Sequence, residues 1–386
     1  MAGSGVLGGV SSACMRTTPG TWWEATTRSA AGLPNSLASE LPKPGYLAVG
    51  YRALGYRALG YRALGAMGNL AAVDCGTLST RLLISAATGE PILRLMRITR
   101  LGEGVDRSGL LLPEAIERTL AVLREYQGLM GEHEVQKARM VGTSALRDAS
   151  NRALFSKPAA EVIGTDLELL SGQDEAALSF LGSTAELSAE SAPWLVADIG
   201  GGSTELAVGP EPFAARSLDL GCVRVTERFL QHDPPTRDEM AKAEAWLKGQ
   251  YTEAEAQVPG FRSSRAFIGL AGTVSALARF DQGLVSYDRE AVHHYRLARQ
   301  SVERALADLA GRPASQRTGL PGIEEGRAEL IVGGALVLAT LMAHFGFEEC
   351  LVSESDILDG LVITMRTEVH GRHAAPPLHE RPTAPR

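Results

Sequence analysis

Two short runs, each leaving an apolar stretch through an aspartate and opening into glycine and hydroxyl residues, constrain this chain more than any other feature. They are Asp74-Cys75-Gly76-Thr77 and Asp198-Ile199-Gly200-Gly201-Gly202-Ser203-Thr204. In the second, three adjacent glycines let the backbone turn tightly and approach a ligand closely. Consecutive peptide N–H groups in such a turn make an anion-binding nest, and Ser203 and Thr204 add hydroxyl donors. An aspartate at a strand end beside a phosphate cradle suits Mg2+, which takes few protein carboxylates plus substrate oxygens. The first loop repeats the device with Asp74, Gly76, Thr77, Ser79 and Thr80. Neither loop is a Walker motif, because the Gly-Lys-Ser/Thr ending is missing. Neither is a dinucleotide fingerprint, because more strands follow where a helix should start.

The elements around the loops suggest the architecture. Asn69–Cys75, 82–86 and Pro91–Ile98 read as a three-strand meander. Pro113, a favoured first-turn residue, then opens a helix with Ile116, Leu120, Leu123 and Gln127 at helical spacing. Strands follow at 137–142 and 166–170. The pattern restarts with strands at 193–198, 205–208 and Ala214–Leu218, a helix at 236–257, and a strand at Ala266–Leu270. Both halves share the order strand, Asp-x-Gly turn, strand, strand, helix, strand. An internal duplication with a cleft between its halves is the simplest account. The expected fold is α/β, with domains at 68–190 and 191–354. A C-terminal helix near 355–366 is expected to return to the first.

Composition narrows the function. The chain has 386 residues, 45% of them apolar and 22% charged, enough for two soluble domains. No uninterrupted apolar run reaches the ~18 residues of a membrane span; 330–345 comes closest and reads as a buried core helix. A net charge of −7 argues against general nucleic-acid binding. A local cluster such as Arg94, Arg97 and Arg100 can still guide a polyanion, with at least one of the three expected on the solvated surface. Cys14, Cys75, Cys222 and Cys350 form no C-x-x-C pair, so a reducing cytoplasm is expected. Cys75 reads as a small packing residue, and His293-His294 as surface residues of a polar helical region. Residues 1–67 carry the pentad Tyr-Arg-Ala-Leu-Gly three times over at 51–65, a period that matches neither helix nor strand. They read as a disordered extension, or as upstream translation with the true start near Met67. Residues 367–386 read as a disordered tail.

Further motifs make the reading specific. Gly142-Thr143-Ser144-Ala145-Leu146-Arg147-Asp148 and Ser171-Gly172-Gln173-Asp174-Glu175-Ala176 lie between the two loops, and Gly221-Cys222-Val223-Arg224 and Asp356-Ile357-Leu358-Asp359-Gly360 follow them. In this order the set resembles the exopolyphosphatase and guanosine-pentaphosphate phosphatase family, in its short two-domain form, over about 68–366. That family belongs to the actin-like (ribonuclease H-like) superfamily of sugar kinases and heat-shock ATPases. The resemblance implies that Glu175 is the carboxylate that activates the attacking water, with Asp174 its solvent-facing neighbour. It implies that Asp198 and Glu205 bind Mg2+, Asp74 being the matching carboxylate of the first loop, and that Arg147 contacts substrate phosphate. A guanidinium fork suits that last task.

One position departs from the family: asparagine usually follows Gly-Thr in the first loop, and here Leu78 stands there. That removes a side-chain donor, at a cost on the order of 1 kcal/mol for a neutral hydrogen bond and more to a charged phosphate. The expected activity is Mg2+-dependent release of orthophosphate from the ends of inorganic polyphosphate. The alternatives are a phosphatase of guanosine pentaphosphate, a non-catalytic polyphosphate or alarmone sensor, and a sugar kinase. A homodimer is the default expectation for a soluble oligomer.

Overall fold

Strand β1 (Asn69–Cys75) is apolar on both sides of its pleat, and that dictates what surrounds it. Alternate residues of a strand face opposite ways. Ala71, Val73 and Cys75 enter one core cluster, while Leu70 and Ala72 enter another. Such a strand needs cover on both faces. Antiparallel β2 (Ser79–Ser85) and β3 (Pro91–Ile98) flank it on one side, and parallel β4 (Val135–Gly142) and β5 (Leu167–Leu169) on the other. The sheet order is β3-β2-β1-β4-β5. The computed structural model describes residues 68–369, Pro212 apart. The expectations for 1–67, and for the tail beyond 369, lie outside the described residues.

The second half repeats the plan. β6 (Trp194–Ile199) pairs antiparallel with β7 (Thr204–Gly209), which pairs with β8 (Ala214–Leu218). On its other side β6 runs parallel to β9 (Ala266–Leu270), followed by β11 (Glu349–Val352) and an added edge strand, β10 (Arg296–Ala298). The order β10-β11-β9-β6-β7-β8 contains the first sheet's order in full. Most strands fall where the apolar runs predict them. β2 starts three residues before its expected beginning, at Ser79, because Thr80 and Arg81 pair with Cys75 and Asp74.

Helices cover the outer faces. Helix α1 (Pro113–Glu132) lays Ile116, Leu120, Leu123 and Tyr126 on the first sheet, beside α3 (Ala153–Ile163); the short α2 (Ser144–Asp148) follows β4. On the second sheet, α6 (Arg237–Gln257), α7 (Ala271–Gln282) and α8 (Ile331–Phe345) share one core, with α5 (Cys222–Phe229) after β8. A capping box at Thr236 and Glu239 starts α6. Helix α8 is apolar nearly all round and buried, as its composition requires.

The inner faces are covered crosswise. Helix α4 (Gly172–Thr184) follows the last strand of the first sheet, yet Ala176 and Phe180 pack on Trp194, Val196 and Ala207 of the second. Helix α9 (Ile357–Val369) follows β11, yet Ile357, Leu358 and Leu361 pack on Leu70, Ala72 and Leu83 of the first. So α4, although it lies within 68–190, covers the second lobe, and α9 covers the first. The chain is also helical through Val369, past the point where the tail was expected to start.

The two crossing helices touch through glycine. A Cβ at Gly182 would lie 1.9 Å from the Asp356 carbonyl oxygen, and one at Gly360 would lie 2.2 Å from the Leu178 carbonyl oxygen. Backbone cannot yield as a flexible side chain can. Gly182→Ala and Gly360→Ala should therefore each lower unfolding free energy by about 3 kcal/mol, the upper end of overpacking costs, although alanine is the better helix former. Urea unfolding of both variants checks this; wild-type stability in either would show that the helices slide apart freely.

Candidate active site

Both glycine turns are built alike. The Gly76 N–H donates to the Ser79 carbonyl at 3.0 Å, and the Gly200 N–H to the Ser203 carbonyl at 3.1 Å. Across the flanking strands Asp74 stands opposite Arg81, and Asp198 opposite Glu205. Among the described residues, no acceptor takes the amides of Thr77, Leu78, Gly201 or Gly202, so each turn keeps N–H groups for an anion. The loops meet tip to tip: a Cβ at Gly202 would lie 2.7 Å from Ser144 Oγ and 2.9 Å from Thr77 Oγ1.

Two expected donors do not reach this site. The Thr80 hydroxyl is fully buried and bonds Thr99 Oγ1 at 2.9 Å. The Thr204 hydroxyl, equally buried, donates to the Leu220 carbonyl at 2.8 Å. Both tie their loop to the segment after the third strand, because the residue directly after the turn already belongs to the ladder. Ser203 is different, since its Oγ lies 3.5 Å from Arg147 Nη2.

Strand parity brings the carboxylates together. Asp74 shares the face of Leu70 and Ala72, and Asp198 the face of Trp194 and Val196, the faces covered by α9 and α4. Helix α4 supplies Glu175 from its first turn, with Ser171 capping it. Gly172 lets that end approach the second sheet, because a Cβ there would lie 2.2 Å from Ser217 Cβ. One turn on, Ser179 Oγ donates to Asp198 Oδ2 at 2.7 Å. Ser217 Oγ donates to Glu205 Oε1 at 2.7 Å.

Arginines join these groups. Arg147 Nη1 donates to Glu175 Oε2 at 2.5 Å, and its Nη2 lies 3.8 Å from Glu205 Oε1. Arg81 places Nε and Nη2 on Asp74 Oδ2 at 2.9 and 2.7 Å, and Nη1 on Asp356 Oδ2 at 2.6 Å. Burial pushes the Glu175 carboxyl up to about 7, against the lowering pull of Arg147. Burial likewise raises Asp74 and Asp198, opposed chiefly by Arg81. Glu205 is pushed well above the usual carboxylate range by burial, with the charges of Glu175 and Asp198 adding to it.

The chemistry of this donor set suits a hard divalent cation, although as the lobes stand Asp74, Asp198 and Glu205 do not gather three ligand oxygens within 4.8 Å of one another. Asp74 Oδ1 is buried without a hydrogen-bond partner among the described residues. Asp74, Asp198 and Glu205 offer carboxylate oxygens, the ligand type that Mg2+ takes. A cation there would offset the charge that burial penalises.

The structure relocates several other residues singled out in the sequence. Arg94 binds Asp356 and Asp359, Arg97 binds Glu125, and Arg100 binds Glu329 and the Gly326 carbonyl. Arg94 and Arg100 are part-buried and tied down, while Arg97, its side chain 43% exposed, keeps the solvated position expected of at least one of the three. Cys75 lies in the core, where burial pushes its thiol up. His293 and His294 sit half-buried in a turn with their rings stacked at 3.8 Å, close to Glu186, rather than on the surface of a helix. His293 Nδ1 accepts the Glu354 N–H, so its Nε2 carries the proton toward Glu186 and has no lone pair for a metal. Leu78 is buried against Ile98, Cys222, Val223 and Leu330, an apolar contact between the lobes.

Sequence reasoning assigned no role to Arg81, Ser179 and Ser217, which bond Asp74, Asp198 and Glu205. Arg81 lay within the first-loop run, two residues past Ser79, and Ser179 lies four residues beyond Glu175 on one helix.

Known proteins share this arrangement. The Ppx/GppA phosphatase family profile matches residues 84–368. Exopolyphosphatase 2 of Mycobacterium tuberculosis is 40% identical over 317 residues, covering 78% of this chain and 99% of its own length. The crystal structure of an exopolyphosphatase-like protein superposes with a TM-score of 0.75 at 34% identity, covering 78% of this chain and 99% of that one. The type II variant of the Aquifex aeolicus Ppx/GppA phosphatase gives 0.62 at 28% identity, over 77% of this chain and 99% of its own. The duplicated α/β fold is common ground, and the chain belongs to the Ppx/GppA phosphatase family.

Proposed function

We propose that this protein is an exopolyphosphatase, which adds water to the terminal phosphoanhydride bond of inorganic polyphosphate and releases orthophosphate. One observation carries the reading: Glu175 is buried against Arg147, which also reaches Ser203 of the second glycine loop, and its carboxyl is pushed up to about 7. A base poised near neutral pH takes a proton from water while it can still be ionised. A kinase of the same fold must instead keep water away from its phosphoryl group.

Phosphoryl transfer asks the protein mainly for positioning and charge neutralisation. The free amides of the two turns and Ser203 would hold the terminal phosphate, and Arg147 would meet its developing charge. Glu175 would take the proton as the water oxygen attacks phosphorus, and the bond to the bridging oxygen breaks. One water is consumed, and the chain leaves one phosphate shorter. Asp74, Asp198 and Glu205 would hold Mg2+, which supplies charge neutralisation on phosphate oxygens when bound. Leu78 offers no side-chain donor, so phosphate contact at that position falls to its backbone N–H.

Phosphate release from polyphosphate and from guanosine pentaphosphate, measured in parallel, should favour polyphosphate. Turnover of the nucleotide alone would reverse the assignment. The rate should rise with pH through about 7 as Glu175 loses its proton. Glu175→Gln should lose about 10²–10⁴-fold in kcat, and with it that limb of the profile. A variant keeping the limb would exclude Glu175 as the base. Chelation should abolish release and Mg2+ should restore it; full activity in chelator would remove the cation from the mechanism.

Stability gives an independent check. A carboxyl raised from 4.5 to about 7 binds more protons in the fold than in the unfolded chain across that window. Its contribution is therefore lost as pH rises through about 7, a penalty on the order of 3 kcal/mol above it. In metal-free buffer, Glu175→Gln should be more stable than wild type at pH 8 and nearly equal to it at pH 4.5. Urea unfolding at both pH values decides; a less stable variant at pH 8 would contradict the burial account.

A further inference from the structure

We infer that Arg224 is a positioning residue for the reaction, one that joins the second glycine loop to α2 only when the lobes are shut and so sets Arg147 on the phosphate. This rests on the exopolyphosphatase reading above. Arg224 is buried near the start of α5 and faces three acceptors in three directions. Its Nε donates to the Gly202 carbonyl at 2.8 Å, inside the second glycine loop. Nη1 donates to Asp106 at 2.7 Å and Nη2 to Asp148 at 2.6 Å, both on the first lobe. Asp148 ends α2, directly after Arg147.

The lobes touch beside the loop tips. The space lined by Thr77, Ser144, Asp148, Gly202 and Arg224 is about 10 Å3, room for about one water, so Arg224 sits where one lobe meets the other. Admitting substrate between the tips would part the lobes at this point. Parting draws Asp106 and Asp148 away from Arg224, which stays tied to Gly202 in its own lobe. Closing restores both ion pairs and returns Arg147 to within 3.5 Å of Ser203. A guanidinium can serve three acceptors at once, whereas a lysine ammonium cannot match that fork. Arg228 makes the control: its Nε donates to Asp106 at 2.6 Å, but it has no bond to the loop.

The test measures steady-state phosphate release from inorganic polyphosphate, and hydrogen exchange of the amides in 102–109 and 143–149, on the full chain. Arg224→Met should lower kcat about 10- to 100-fold, the scale of a misplaced catalytic group, with KM changed less than about threefold. Arg224→Lys should recover part of that loss. Asp148 is exposed, so Asp148→Asn keeps the fold and should lower kcat in the same sense but less. Arg228→Ala should stay near wild type. Exchange in the two segments should speed up in Arg224→Met and Asp148→Asn without substrate. If Arg224→Met does not fold, Asp148→Asn decides by the same criteria. Wild-type kcat in the decisive variant, a loss confined to KM, or an equal loss in Arg228→Ala would overturn the inference. If the wild type releases no phosphate, the functional reading fails by itself. Exchange then still tests the latch, and unchanged exchange in Asp148→Asn would overturn it.

Discussion

Asp74, Glu175, Asp198 and Glu205 share one buried cleft, and the energetics of the site follow from keeping so much negative charge out of water. Desolvation opposes ionisation of all four. Arg81 and Arg147 answer only part of it, and Arg81 is shared with Asp356. The surplus is negative, which suits a divalent cation and, through it, a polyanion that four carboxylates alone would repel. On the proposed reading the charge imbalance is a stability cost that a bound cation would offset.

The duplication shows where that imbalance arose. The two halves agree in strand order, in turn geometry and in the aspartate that ends the central strand. They differ at the position opposite that aspartate, which is Arg81 in the first half and Glu205 in the second. One loop therefore carries its own counter-cation and the other carries a second carboxylate. The crossing helices differ in the same way: α4 presents Glu175 in its first turn, while Asp356, just before α9, faces Arg81 and Arg94. One half is charge-balanced and the other carries the surplus of carboxylates.

Much of this was legible in the sequence, because it is local. Strand runs, the Asp-x-Gly turns and the proline that starts α1 each act within a few residues, and the repeat of their order exposes the duplication. Glu175 and Arg147 were legible as well, but through the ordered motif set rather than through any local physics. Long-range pairings left no such trace. Nothing near Arg94 reveals that its partners lie some 260 residues away at Asp356 and Asp359. The crosswise packing of α4 was hidden for the same reason, since chain order places it with the first sheet while its apolar face fits the second. Thr80 and Thr204 looked like donors because composition cannot tell a turn residue from the ladder residue that follows it.

Leu78 shows how the two levels interact. Read locally, a leucine in a phosphate loop is a lost hydrogen bond. In the fold it is buried against Cys222, Val223 and Leu330 of the other lobe. Burying a leucine side chain is worth about 1.5–3 kcal/mol, and a hydrogen bond to a charged phosphate about as much. The exchange therefore moves stabilisation from the grip on phosphate to the contact between the lobes. That apolar seal lies beside the Arg224 ion pairs, one non-directional and the other strict about angle. Leu78 rewards closure in any near register, whereas Arg224 rewards only the register in which Arg147 and the second glycine loop face each other.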